Sequence, residues 1–233
     1  MKEWILITEN YNGLYKKAVD TLSGVVSGYL QGVLPIKLLD EIDDTVFNDF
    51  NIILLGNSQN KYLKHICQHK NCVLPKKDEE YSIYVGKSCI NEENEIIAIV
   101  GFDERGVLYG CMDFCNRYCG KELISVEDHN EMFDEKFFDG LFKKPLHEWK
   151  VSETPFVPTR ALWTWGQMIY DYKNFFENMA KLRLNEVVIW NDYVPINAKE
   201  VVDYAHSLGI NLIWGFSWGW GTNCAEEMKK FTA

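Results

Sequence analysis

Residues 185–190 read Asn-Glu-Val-Val-Ile-Trp (NEVVIW), and residues 210–216 read Ile-Asn-Leu-Ile-Trp-Gly-Phe (INLIWGF). Both runs are mostly apolar and too short to be helices, so we predict a buried strand in each. A third predicted strand, RALWTW at Arg160–Trp165, precedes them. Helical patterns follow the three strands, at Tyr172–Leu182, Ala198–Leu208 and Cys224–Phe231. Strands that alternate with helices indicate parallel βα units whose sheet is covered on both faces. Eight such units close a (β/α)8 barrel, and three are predicted here.

The residues before this segment predict a separate α/β layer. Apolar runs predict strands at Trp4–Thr8, Ile36–Leu39, Asn51–Leu55, Tyr81–Val85 and Glu95–Val100. Apolar residues spaced three and four apart predict helices at Tyr11–Tyr29, Gln59–His69 and Gly106–Tyr118. We therefore expect a small α/β sheet domain over residues 1–121.

A change of composition separates the two parts. Residues 1–150 carry a net charge of −8 and residues 151–233 carry −2, and six of the eight tryptophans follow residue 162. Prolines at 145, 155 and 158 interrupt regular structure. We predict a connector with an amphipathic helix over residues 122–157, and the start of a barrel over residues 158–233.

Composition narrows the classes of function. The net charge of −10 argues against nucleic acid as a partner, because nucleic-acid binding requires a basic face. No apolar run reaches the ~20 residues of a membrane span, and the N-terminal apolar run is too short for a secretory signal. Seven cysteines without a disulfide or zinc pattern predict reduced thiols and a cytoplasmic protein. We expect no membrane partner, no metal site and no cofactor.

Two stretches resemble known glycoside hydrolases. Gly101–Gly110 (GFDERGVLYG) resembles the strand-turn-helix of the small α/β domain that precedes the barrel in family 20 β-hexosaminidases, family 84 relatives and family 67 α-glucuronidases. Pro155-Phe156 followed by Arg160 resembles the opening of their first barrel strand, and Leu184–Asn191 is similar to their second. Val188 and Trp190 stand where the hexosaminidases carry histidines.

The resemblance implies the N-terminal part of a glycoside hydrolase: the accessory α/β domain and the first three βα units of an incomplete TIM barrel. The complete enzyme would cleave a carbohydrate such as an N-acetylhexosaminide or a uronide. The families place their catalytic carboxyl groups on later strands, so no catalytic pair is found in this chain. The resemblance also implies that Arg160 contacts sugar hydroxyls, and an ion pair at the lower end of the barrel is the alternative.

Other candidate sugar contacts follow from the residues themselves. Barrel enzymes bind substrate at the carboxyl ends of their strands, and aromatic side chains offer flat apolar faces to sugar rings. This predicts a substrate site that contains Trp165, Asn191, Asp192, Trp218 and Trp220. The alternatives are helix capping or a loop contact for Asp192, a loop hydrogen bond for Asn191, and ordinary packing for the tryptophans. Trp190 and Trp214 lie within apolar strand runs, and we expect both in the core.

Two histidines, His65 and His69, lie four apart on a predicted helix without the Glu of an H-E-x-x-H motif, and we expect them on a solvated face. The last predicted helix, Cys224–Phe231, has no Gly or Pro stop, which favours a truncated hydrolase. A non-catalytic carbohydrate-binding or protein-interaction module remains the alternative function. An open parallel sheet also predicts self-association through its exposed barrel edge.

Overall fold

The computed structural model describes residues 2–119, 142, 145–165, 169–190 and 195–215. The chain divides into two compact units, Met1–Pro158 and Thr159–Ala233, and both are α/β. Within the described ranges, no helix combines the length and the apolar character that crossing a membrane requires. The predicted amphipathic helix between residues 122 and 142, and the predicted helix Cys224–Phe231, lie outside the described residues except for Phe142.

The first unit contains a mixed sheet of six strands in the order β2-β1-β3-β5-β4-β6. The strands are β1 Trp4–Thr8, β2 Ile36–Leu38, β3 Asn51–Asn57, β4 Tyr81–Lys87, β5 Glu95–Gly101 and β6 Trp149–Glu153. Strands β1, β2, β3 and β5 are parallel, whereas β4 is antiparallel to both β5 and β6. The predicted α/β class is therefore confirmed, and the sheet is mixed.

Helices cover both faces of this sheet. They are α1 Gly13–Leu30, α2 Val46–Asp49, α3 Lys61–His69 and α4 Glu104–Asp113, and a π-helical segment, Phe114–Cys119, continues α4. On one face, Leu63 and Ile66 of α3 pack with Ile52 and Leu54 of β3 in a cluster of buried residues. Helix α4 contacts α1, β4 and β5. The central strands are buried on both faces, as apolar parallel strands require.

In the segment Gly101–Gly110, capping and close packing at the start of α4 explain Asp103 and two of the glycines. Asp103 is the N-cap of α4, where its Oδ1 accepts a hydrogen bond from the Gly106 N–H at 2.8 Å. A Cβ on Gly101 would lie 2.3 Å from the Val107 nitrogen, and one on Gly106 would lie 2.5 Å from the Glu80 carbonyl oxygen. Glycine at these two positions lets α4 begin directly against the sheet.

Strand β6 lies within residues 122–157, for which the sequence predicts a connector with an amphipathic helix. It pairs with β4 from Tyr81 opposite Glu153 to Val85 opposite Trp149. Its side chains alternate between half-buried and exposed, as in an edge strand with one solvated face. Arg117 bonds both Asp113 and Glu153, and this ion-pair network ties the π-helical segment to β6.

The second unit contains three parallel strands in chain order, β7 Ala161–Trp165, β8 Glu186–Trp190 and β9 Asn211–Gly215. Helices α5 Tyr172–Lys181 and α6 Ala198–Ser207 connect them. Each helix has buried apolar residues, among them Phe176 of α5 and Val201 of α6. Val187 and Ile189 of β8 are also buried. The sequence predicts that both sheet faces are covered, but the opposite face carries the exposed residues Trp163, Trp165 and Ile213.

Candidate functional site

One face of the second sheet carries three tryptophans: Trp163, Trp165 and Trp190. This face lies opposite the buried residues of β8, and we call it the tryptophan face. The strand register pairs Trp165 with Trp190, and side chains two residues apart on a strand share a face. The Trp165 and Trp190 ring centroids are 5.2 Å apart with planes 5° from parallel. The Trp163 ring centroid lies 5.8 Å from that of Trp190 and 6.5 Å from that of Trp165, with ring planes 19° and 21° from parallel.

The tryptophan face depends on a glycine in the neighbouring strand. Gly215 pairs with Trp190, and a Cβ built on Gly215 would lie 2.5 Å from the Cε3 atom of the indole. No side chain can occupy that space while Trp190 keeps its position. Gly215 therefore lets the indole lie close against β9 while its ring stacks with Trp165.

The tryptophan face is accessible from solvent. Trp163 is 59% exposed, Trp165 is 63% exposed and Ile213 on the same face is 46% exposed, while Trp190 is half-buried. Indoles supply large flat apolar surfaces and one N–H donor each, which suits the C–H face of a sugar ring. Trp165 and Trp190 are the last residues of β7 and β8, so this surface lies at the carboxyl end of the parallel strands, where barrel enzymes bind substrates.

Arg160 lies at the other end of the same sheet. It precedes β7 and is about 16 Å of extended chain from Trp165. Its Nε donates a hydrogen bond to the Arg183 carbonyl at 2.6 Å, and its backbone N–H donates to Oδ1 of the buried Asn185 at 2.9 Å. These bonds fasten the turn after α5, where Arg183 has a φ of 60°, to the start of β7. The structure does not bring Arg160 together with the tryptophan face.

The remaining predicted site residues, Asn191, Asp192, Trp218 and Trp220, lie outside the described residues. Of the described strand residues on the tryptophan face, Glu186 carries the only carboxyl group, and it lies about 13 Å along β8 from Trp190. Asp171 is the N-cap of α5, where its side chain accepts from the Asn174 N–H at 3.0 Å. In the described part of the chain, no group of three or more metal-ligating side chains could hold a metal ion.

A second cluster of polar side chains lies at the carboxyl edge of the first sheet, between β1 and β3. The Glu9 carboxylate accepts hydrogen bonds from the Tyr15 hydroxyl, the Asn57 N–H and the Asn60 amide, at 3.1, 2.8 and 2.8 Å. Burial and the nearby charges of Glu9 and Glu104 raise the pKa of Tyr15 well above its usual range. Because both oxygens of Glu9 accept from protein groups, we assign the cluster to loop anchoring.

The sequence predicts Trp165 as a sugar contact and Trp190 as a core residue, whereas the structure stacks the two rings on the tryptophan face. The missing signal is the register, because Trp190 joins Trp165 only when the two strands are aligned. No model of a known protein family matches the chain, and no curated protein sequence matches it.

Proposed function

We propose that the chain is part of a glycoside hydrolase and contains the accessory α/β domain and the first three βα units of a (β/α)8 barrel. With the barrel complete, the enzyme would hydrolyse O-glycosyl bonds in a carbohydrate such as an N-acetylhexosaminide or a uronide. The observation that carries the proposal is the exposed tryptophan face at the carboxyl ends of three parallel strands that follow chain order.

The uncovered sheet face supports the barrel. Parallel sheets occur almost only with both faces covered, and a (β/α)8 barrel covers its inner face with side chains from its other strands. Here β8 buries Val187 and Ile189, whereas Trp163, Trp165 and Ile213 on the opposite face remain exposed. That exposed face corresponds to the inside and upper mouth of a closed barrel.

The position of the tryptophan face supports a carbohydrate substrate. Stacked indoles at a strand end form a rigid apolar platform, and rigid aromatic groups bind ligands with little loss of side-chain entropy. Trp165 is the most exposed of the three rings and would provide the main stacking surface. Arg160 would support the sheet at its lower end instead of contacting sugar.

A non-catalytic carbohydrate-binding or protein-interaction module is the second candidate. Glycoside hydrolysis requires two carboxyl groups within about 10 Å of each other. Among the described strand residues of the tryptophan face, Glu186 alone carries one, and it lies at the amino end of its strand. Asp192, two residues after β8 in the sequence, is the candidate carboxyl group for the other end of the strand.

Replacement of Trp165 by Ala tests carbohydrate binding. We expect the affinity for diacetylchitobiose or a glucuronic-acid xylo-oligosaccharide to fall about tenfold, because a stacking surface worth ~1.4 kcal/mol is removed. The control is Tyr170→Ala, which removes an aromatic ring that is 93% exposed and lies outside the strands. Calorimetric titration measures both variants. Equal affinity of Trp165→Ala and the parent chain would refute a role for the tryptophan face.

Hydrolysis of p-nitrophenyl N-acetylglucosaminide and p-nitrophenyl glucuronide, measured on the protein with its complete barrel, separates the two candidate functions. Release of p-nitrophenol that falls on Asp192→Asn substitution supports the hydrolase. Sugar binding without any release supports the binding module.

A further inference from the structure

Two histidines on α3 lie next to each other on the surface of the first unit. His65 and His69 are both exposed, and their ring centroids are 4.2 Å apart. The spacing of four residues places both side chains on the same side of the helix, one turn apart. The two rings are therefore close enough to contact a common atom between them.

Within the described part of the chain, the two imidazole rings contact each other, and neither forms a hydrogen bond or an ion pair with another residue. The nearby lysines interact with other groups. The Lys64 amino group donates to the Gln59 side chain at 3.0 Å, and those of Lys61 and Lys70 lie over the rings of Tyr62 and Tyr84. The nitrogen atoms of both histidines are consequently available to a ligand from solvent.

The position of the pair on its helix favours a cation. His69 is the last residue of α3, and the carbonyl groups at the end of a helix carry a partial negative charge. That partial charge acts over the last turn, where His69 lies, and offsets part of the repulsion from neighbouring lysines. The chain as a whole carries a net charge of −10, which also attracts cations.

We propose that His65 and His69 chelate a divalent late first-row transition metal ion, of which Ni²⁺, Cu²⁺ and Zn²⁺ are the candidates. Imidazole nitrogen binds these ions at about 2.0–2.1 Å, whereas Mg²⁺ and Ca²⁺ prefer oxygen ligands. Water completes the coordination, so the site has two protein ligands and open positions. The Irving–Williams order places the affinity for Cu²⁺ above those for Ni²⁺ and Zn²⁺. This site is independent of the tryptophan face.

Calorimetric titration with NiCl2 tests the proposal, on full-length protein whose accessible thiols have been blocked with iodoacetamide. We expect one saturable site per chain, with an affinity about tenfold or more weaker in His65→Gln and in His69→Gln. The matched control is His206→Gln, which removes a single exposed histidine from α6 and leaves the site intact. Glutamine suits an exposed helix position, and far-UV circular dichroism verifies that every variant is folded.

The titration has outcomes that overturn the proposal. A parent chain without a saturable site overturns it, and so does equal Ni²⁺ affinity in the parent chain and in both α3 variants. Equal loss of affinity in His206→Gln would also contradict it, because binding would then not be specific to α3. A parallel titration with MgCl2 is expected to give no binding at this pair.

Discussion

The side chain of Trp190 shows why single residues of the site were difficult to predict. Trp190 lies in an apolar run, so composition alone does not assign it to either face of its strand. A shift of one residue in register moves every side chain to the opposite face of a sheet. Only the pairing with Trp165 and Gly215 assigns Trp190 to the tryptophan face. Both Trp165 and Trp190 end their strands, so position along the strand does not distinguish them.

Substitution of Gly215 by Ala is expected to displace the Trp190 indole. The added Cβ would lie 2.5 Å from ring atom Cε3, so the ring must move, at a cost of about 1–3 kcal/mol in the free energy of unfolding. Near-UV circular dichroism reports the lost stacking, and urea denaturation reports the stability.

Gly24→Ala is the matched control for that experiment, because a Cβ on Gly24 meets no atom within 4 Å and the residue lies inside α1. We expect this substitution to stabilise the chain by about 0.5–1 kcal/mol. An unchanged near-UV spectrum in Gly215→Ala would contradict the close packing of Trp190 on β9.

Whole elements were more predictable than single side chains, and the exceptions include the short helix α2 and strand β6. The sequence of β6, WKVSE, is short, has only two apolar residues and ends in Ser152 and Glu153, so the local pattern gives a weak strand signal. The strand forms because β4 offers a free edge to a segment 64 residues further along the chain, from Val85 to Trp149. Pairing over such a distance cannot be recognised from a local window. The buried strands β1, β3, β4 and β5 were predicted because their apolar runs are continuous.

Glu80 links the loop before β4 to the residue that follows β6, and this predicts a pH-dependent stability. Its carboxylate accepts hydrogen bonds from the Lys76 N–H, the Lys77 N–H and the Thr154 hydroxyl, at 2.6, 2.9 and 3.0 Å. Burial acts to raise the pKa of Glu80, but the hydrogen bonds outweigh burial and lower it below its ordinary value. The stabilisation is therefore fully present above the ordinary glutamate pKa of about 4.3 and is lost as the pH falls through the lower folded-state pKa.

Glu80→Gln tests this linkage. We expect a loss of about 1–3 kcal/mol in the free energy of unfolding at neutral pH, because the charged acceptor is removed from three donors. The difference from the parent chain should shrink as the pH falls below the ordinary glutamate range, which urea denaturation over a pH series measures. Glu92→Gln, at an exposed position, is expected to leave the curve unchanged. A difference that is constant across the series would contradict the lowered pKa.

At the scale of the molecule, the α/β class followed from sequence because alternating apolar runs and helical patterns are local signals. Which faces of each sheet are buried could not be predicted from sequence, because burial depends on which distant elements pack together. The central strands of the first sheet are buried on both faces, whereas the second sheet exposes Trp163, Trp165 and Ile213. An apolar face of this kind marks an interaction site or a surface that other strands cover. The same face thus supports sugar binding, and its exposed residues lie on β7 and β9, the edge strands through which self-association is expected.

Self-association is expected to depend on that face, and Ile213→Lys tests it. Sedimentation velocity over a concentration series should show oligomers of the parent chain, because association removes the exposed tryptophans and Ile213 from water. A lysine at position 213 places a charge in the middle of the face, and a charge buried without a partner opposes association. We expect Ile213→Lys to remain monomeric at concentrations where the parent chain associates. Ile196→Lys, at a fully exposed position outside the strands, should behave as the parent chain does. A parent chain that stays monomeric throughout the series would show that the face does not self-associate.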